Sequence, residues 1–216
     1  MPKPDTREAL IDAAERLVAA RGLRGISVRE VIRAAGQRNH GAIAYYFGSW
    51  HGLLAAVWAA RSTGAEQQRQ LRIAAEESDD RLHGLVIAYV SPFVAEVSRH
   101  TPSYWAQFNE QWLAGIHADF VNTPEPLVPG DPDYPPIRGM EAMQSIYADI
   151  AAELGHLAQP LRTARVALAA RFVVSALASW ERDQVSGVWQ SLDDYEGELC
   201  RLMLALLRAD GEAAAT

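Results

Sequence analysis

Apolar residues recur at three- and four-residue intervals in almost every periodic stretch of this chain, and no run alternates β-branched with polar residues between turn signals. That pattern leaves an all-α architecture, which we expect to hold about nine helices. Leu10, Ala13, Ala14, Leu17 and Val18 share one face of a first helix that starts at Asp5 or Thr6, where Asp5 and Glu8 have capping-box spacing, and stops at Gly22. Ser27 and Glu30 repeat the box ahead of a short second helix with Val28, Val31, Ile32 and Ala35 inside, closed by Gly36. A third short helix is expected from about His40 to Tyr46. Ser49 then caps a fourth, which carries Leu53, Leu54, Val57 and Trp58 and runs toward Arg72. Further helical segments follow near 80–99, 103–121, 137–154, 160–185 and 191–209. Between Val121 and Gly139, Pro124, Pro126, Pro129, Pro132, Pro135 and Pro136 exclude a helix and predict a long loop.

Several function classes drop out on composition and motif. The chain has 216 residues, 49% of them hydrophobic and 22% charged, a balance suited to burying a core and unsuited to wholesale disorder. No apolar run reaches the roughly 18 residues of a membrane span, and no signal-peptide pattern opens the sequence, so the cytoplasm is the expected compartment. A single cysteine, Cys200, excludes an internal disulfide and a cysteine-based zinc cluster. There is no G-x-S-x-G elbow, phosphate-cradling glycine loop or H-E-x-x-H pair, and the acidic pairs Glu76-Glu77, Asp79-Asp80 and Asp193-Asp194 fall at helix boundaries as solvated caps. We therefore expect neither an enzyme nor a cofactor. His117-x-Asp119 lacks further ligands, so no metal is expected either.

The net charge of −7 conceals an asymmetry. Residues 1–62 carry nine Lys/Arg against five Asp/Glu, a balance of +4, whereas the remainder carries −11. A basic head on an acidic body points to a polyanion bound at one end. The head also has the layout of a helix-turn-helix, with Ala34, Ala35 and Gly36 small where two helices meet and Ile43 and Phe47 directed at the core. Around the turn sit Gln37, Arg38, Asn39, His40, Tyr45 and Tyr46. Arg and Asn suit base edges, and tyrosine hydroxyls suit phosphate oxygens.

Residues 6–54, TREALIDAAERLVAARGLRGISVREVIRAAGQRNHGAIAYYFGSWHGLL, resemble the amino-terminal DNA-binding domain of the TetR family of transcriptional repressors. The resemblance implies an all-α homodimer whose head, residues 1–50, binds a palindromic operator. It also implies a body, residues 51–216, that takes up a small effector and so releases the DNA. Carried over by position, Ser27 touches phosphate, Arg29 faces the groove, and Ala42, Tyr45 and Tyr46 lie on the recognition helix. This chain departs from the family pattern in three places. The turn Gln37-Arg38-Asn39-His40 is one residue longer than the common spacing. Ala44 stands where a backbone-contacting Tyr is usual, and Trp50-His51 replace a Lys-Glu pair, leaving the Trp50 indole for a phosphate. A regulator that binds DNA constitutively, or under control of a protein partner, is the alternative.

In the body, Trp105, Phe108, Trp112 and Ile116 form a bulky stripe on one helix. Tyr89, Phe93, Met143, Tyr147 and Phe172 are expected to face it across an effector pocket, with Gln107, Asn109, His117 and Ser175 as polar groups that orient the ligand. The last two long helices are assigned to the dimer interface through Val166, Ala169, Ala170, Val173 and Leu177 on one and Leu199, Leu202 and Leu206 on the other.

Overall fold

A computed structural model of the chain describes residues 5–114, 121, 140–183, 187–189 and 191–210. Ten α-helices run through them: α1 (Thr6–Arg21), α2 (Val28–Ala34), α3 (Ala42–Phe47), α4 (Trp50–Arg61), α5 (Ala65–Glu76), α6 (Arg81–Ser98), α7 (Trp105–Ala114), α8 (Met140–Glu153), α9 (Gln159–Glu181) and α10 (Leu192–Arg208). The expected proline-rich loop falls outside the described residues, as do His117 and Ile116.

The local signals act where the sequence puts them. Asp5, Ser27, Ser49, Asp80 and Ser191 each accept a hydrogen bond from a backbone N–H in the first turn of the helix they precede. Each cap satisfies a donor that no helical carbonyl reaches. At the end of α2 the Gly36 N–H donates to the Arg33 carbonyl and the Gln37 N–H to that of Ile32. This paired closure needs a left-handed residue, which Gly36 supplies with φ of 68°.

One expectation is corrected by the backbone. The fourth helix does not continue toward Arg72; it stops at Arg61, and a 3₁₀ turn at Ser62–Gly64 leads into α5. Ser62 Oγ donates to the Trp58 carbonyl at 2.7 Å, a local bond that competes with helix continuation. Here Gly64 comes so close to α6 that an added Cβ would lie 3.0 Å from Pro92 Cβ.

A single apolar core runs from Leu10 and Val18 in α1, through Leu53 and Val57 in α4, to Val173, Leu177, Leu199 and Met203 in α9 and α10. α1 packs against α7 as well as against α2 and α4, so the basic head rests directly on the body. The tightest helix contact is between α5 and α6, where a Cβ on Gly84 would fall 2.6 Å from Ala75 Cβ and 2.9 Å from its Cα. Gly84→Val is accordingly expected to lower stability by about 1–3 kcal/mol through overpacking, read as a fall in thermal midpoint. An unchanged midpoint would show that α5 and α6 part freely.

Six of the eight expected dimer contacts are corrected by burial. Val166, Ala169, Ala170, Val173, Leu177 and Leu199 lie inside the protomer and offer no surface to a second chain. Nearly all-round apolarity in α9 reflects contact with α6, α7, α8 and α10 of its own chain. Leu202 and Leu206 are exposed, together with Leu161 and Leu168 on α9.

Candidate nucleic-acid interface and effector cavity

The α2–α3 corner is held from inside and polar outside. Val31 and Ile32 of α2 and Ile43 of α3 are buried, which fixes the angle of the two helices on α1 and α4. Seven residues, 35–41, connect them, and the Asn39 side chain shapes the last part of this turn by accepting from the Gly41 N–H at 2.9 Å. α3 thus begins two residues later than the sequence suggests. Its outward face carries Tyr45, 81% exposed, and Tyr46, whose rings meet edge to face at 4.9 Å. A large side chain that buries so little contributes nothing to the core. Arg29, Arg38 and His40 are exposed beside it.

Other candidates for DNA contact fare differently. Ala42 is only 3% exposed and packs in the core of the head, so it is corrected from a contact to a packing residue. Its place outside is taken by Ala44, which is exposed. The Ser27 hydroxyl closes the α2 cap: it donates to Glu30 Oε2 at 2.8 Å and accepts from the Glu30 N–H. Bonds from the Ser27 hydroxyl, and from Arg21 at 2.9 Å, lower the Glu30 carboxyl to about 2, so the cap stays ionised. The Gln37 side chain donates to the Ala35 carbonyl, and Trp50 is half-buried against the core. Sequence reasoning missed Arg24 and Arg33, both exposed. Arg33 was within reach, since it follows Arg29 by one helical turn.

A cavity enclosing about 80 Å³ lies between helices α4 to α9. Trp58, Arg61, Ser62 and Gly64 line it from α4 and the 3₁₀ turn, and Gln68 from α5. α6 contributes Tyr89, Pro92, Phe93 and Glu96; α7 contributes Trp105, Asn109, Trp112 and Leu113. Met143 and Tyr147 of α8 and Val174 of α9 complete the wall. Of the residues expected at the pocket, Tyr89, Phe93, Trp105, Trp112, Met143 and Tyr147 are thus brought together. Phe108 and Phe172 are not: Phe108 is fully buried between Trp105 and Trp112, with ring centroids 5.9 Å from each, and half-buried Phe172 packs on the core elsewhere. Among the polar candidates Asn109 lines the wall, whereas Ser175 donates to Glu110 at 2.6 Å outside it. Tyr147 and Tyr89 meet hydroxyl to hydroxyl at 3.5 Å, and burial raises the Tyr89 phenol to about 12, so both rings stay neutral.

Sequence reasoning missed the charged end of the cavity, where Arg61 connects three helices. Its guanidinium donates to both carboxylate oxygens of Glu15 in α1, at 2.6 to 3.2 Å, to Asp12 at 3.1 Å, and stands 3.0 Å from His100 Nε2 after α6. The Glu15 side chain is 5% exposed and that of Arg61 14%. Burial raises the Glu15 carboxyl above its ordinary value, and the hydrogen bonds and charge of Arg61 only partly offset this. Glu96, also buried, is bound by Arg99 at 2.6 Å. No helical periodicity signals this cluster, because its members lie as much as 88 positions apart in the chain.

Residues 10–57 match the family model for bacterial regulatory proteins, tetR family. No curated protein matches the chain. Among solved structures, a TetR transcriptional regulator from Rhodococcus sp. RHA1 is 19% identical, with 96% of this chain and 98% of that one covered and a TM-score of 0.46. The multidrug binding protein EbrR, solved with imidazole, is also 19% identical, over 96% of this chain and 98% of its own, with a TM-score of 0.42.

Proposed function

We propose, from the match of residues 10–57 to the tetR family model, that the chain is a TetR-type DNA-binding transcriptional regulator, a repressor that grips a palindromic operator as a homodimer and lets go when a small, largely apolar effector enters the body. The observation that carries the reading is the position of Arg61, which lines the cavity and at the same time holds α1 of the head through Glu15. The head spans residues 1–50 and the body 51–216. Arg29, Arg38, Asn39, His40, Tyr45 and Tyr46 face the DNA, the arginines and Asn39 at base edges or phosphates and the tyrosine hydroxyls at the backbone.

An occupant acts on the head through packing and charge together. The cavity's 80 Å³ is about half of the roughly 150 Å³ that holds a benzene ring. A ring-sized effector therefore parts the walls and shifts Arg61 relative to Glu15. Coupling of about 1–3 kcal/mol between the two sites is typical, and linkage requires operator to weaken effector binding by the same factor that effector weakens operator binding.

The dimer forms on the outer faces of α9 and α10. Leu161 and Leu168 lie seven residues apart on one face of α9, Leu202 and Leu206 four apart on α10, and all four are exposed. A two-fold axis through that face pairs it with itself and sets two recognition helices toward half-sites about 34–36 Å apart. Leu168, at 66% exposed, contributes little to the protomer, so Leu168→Glu is expected to leave its helix content intact while moving sedimentation at micromolar concentration from dimer to monomer. A dimer that survives the substitution would move the interface elsewhere.

Selection of bound fragments from the source genome tests the whole reading. The expected result is an enriched palindrome whose binding is relieved by an effector; absence of any enriched sequence would overturn it.

A further inference from the structure

Two tryptophans that line the cavity carry indole N–H groups with no acceptor among the described residues. Trp58 Nε1 in α4 and Trp112 Nε1 in α7 are both buried and both unpaired among the described residues. The third buried unpaired atom there, Arg162 Nε, belongs to a guanidinium that already donates to the Gly155 and Leu157 carbonyls. Burying a hydrogen-bond donor without an acceptor is costly, and native interiors avoid it. That two such donors lie on neighbouring rings, 6.4 Å between centroids, in the wall of one cavity is a chemical statement about its occupant.

The rest of the wall agrees. Arg61 lies one helical turn beyond Trp58 and adds a cationic donor on the same side. The Asn109 amide nitrogen donates to the Trp105 carbonyl at 2.7 Å, and neither indole donates to the Asn109 oxygen. The rings of Trp105 and Phe93 add apolar surface to the same wall, suited to a planar frame. The one opposing feature is the Glu96 carboxylate, which would favour a cation; its charge is engaged by Arg99 and faces Arg61.

Building on the effector reading above, we infer that the effector is a ring-sized apolar molecule bearing an acceptor oxygen, a carbonyl or a carboxylate, which accepts from the indole N–H groups of Trp58 and Trp112. Binding then satisfies donors that no described residue pairs. It also sets an acceptor beside Arg61, in competition with Glu15. Affinity and release of the head thus come from the same oxygen.

Calorimetric titration of the full chain with four probes of matched size, acetophenone, benzoate, ethylbenzene and benzylamine, tests this. Acetophenone, benzoate or both are expected to bind at least tenfold tighter than ethylbenzene. The better of the two identifies whether Arg61's charge takes part. In Trp58→Phe with Trp112→Phe the preference over ethylbenzene is expected to shrink below threefold. In the unaltered protein, where folding is not in question, two of the six indole N–H proton resonances are expected to move downfield on adding the preferred probe. Equal affinity for ethylbenzene, or benzylamine as the tightest probe, overturns the inference while leaving an effector cavity standing. Failure of all four to bind overturns it and removes the effector cavity with it.

Discussion

Arg61→Ala is expected to destabilise the protein by about 3–5 kcal/mol, because it leaves the Glu15 carboxylate, 5% exposed, without a partner in the interior. In a chain of this length that corresponds to a fall in thermal midpoint of roughly 10 °C. The loss should depend on pH in a defined sense. Glu15 already binds its proton more tightly in the folded protein than the ordinary value of 4.5 allows, and Arg61 is what holds that shift in check. Without Arg61 the folded-state value rises further. A carboxyl raised in the folded state favours folding as pH falls from the raised value toward 4.5, and loses that contribution as pH rises through the raised value. The variant should therefore lie closest to the parent in mildly acidic buffer and furthest from it above neutrality. Glu15→Leu introduced together with Arg61→Ala removes the stranded charge and should recover most of the loss. Chemical denaturation of the three proteins at pH 5 and pH 8 measures this. An Arg61→Ala variant equally stable at both, with no recovery in the double variant, would mean that the contact carries no buried charge.

Removing the outward side chains of the α2–α3 corner should do the reverse, abolishing recognition while sparing the fold. Tyr45→Ala combined with Arg38→Ala deletes two exposed side chains with no partner in the core, so stability should stay within about 0.5 kcal/mol of the parent. Each lost contact to a base edge or phosphate is worth about 1–3 kcal/mol, so operator affinity should fall by roughly a hundredfold or more. Arg29→Ala alone should cost about 1–3 kcal/mol, concentrated at one base pair if the side chain reads an edge and spread evenly over sequences if it touches phosphate. Gel-shift titration against the selected operator and against scrambled DNA distinguishes the two. Parent-like affinity in the double variant would remove this corner from the interface.

The head was almost fully legible from its residues, because helix starts and stops obey local chemistry. Ser27 with Glu30, Gly36 and Ser49 act within four residues of themselves: Ser27 opens α2, Gly36 closes it and Ser49 opens α4, as expected. The inward–outward division of α3 was legible in part. Tyr45 and Tyr46 point out as expected, but the longer turn delays α3 to Ala42 and rotates that residue into the core. A one- or two-residue shift moves a side chain by 100° or 200° around a helix, so facing is lost when register is.

The body shows the opposite balance. Its helices follow from periodicity, and the rings of Trp105 and Trp112 stand out as a stripe on α7; which of them line a cavity and which fill a core does not follow, since both environments select the same residue types. Phe108 and Trp112 belong to one stripe, yet only Trp112 borders the cavity. Likewise the small and branched residues of α9 serve contacts within the chain, and the exposed leucines lie on its other side. Local order along the chain thus dictated the helices, their caps and the basic corner, because those interactions span a few residues. The Arg61–Glu15–Asp12 ion pairs, the unpaired indoles of Trp58 and Trp112 and the turn at Ser62–Gly64 came from folding in three dimensions. They depend on which distant side chains meet and on how much water that meeting excludes, and neither quantity is written in any stretch of neighbouring residues.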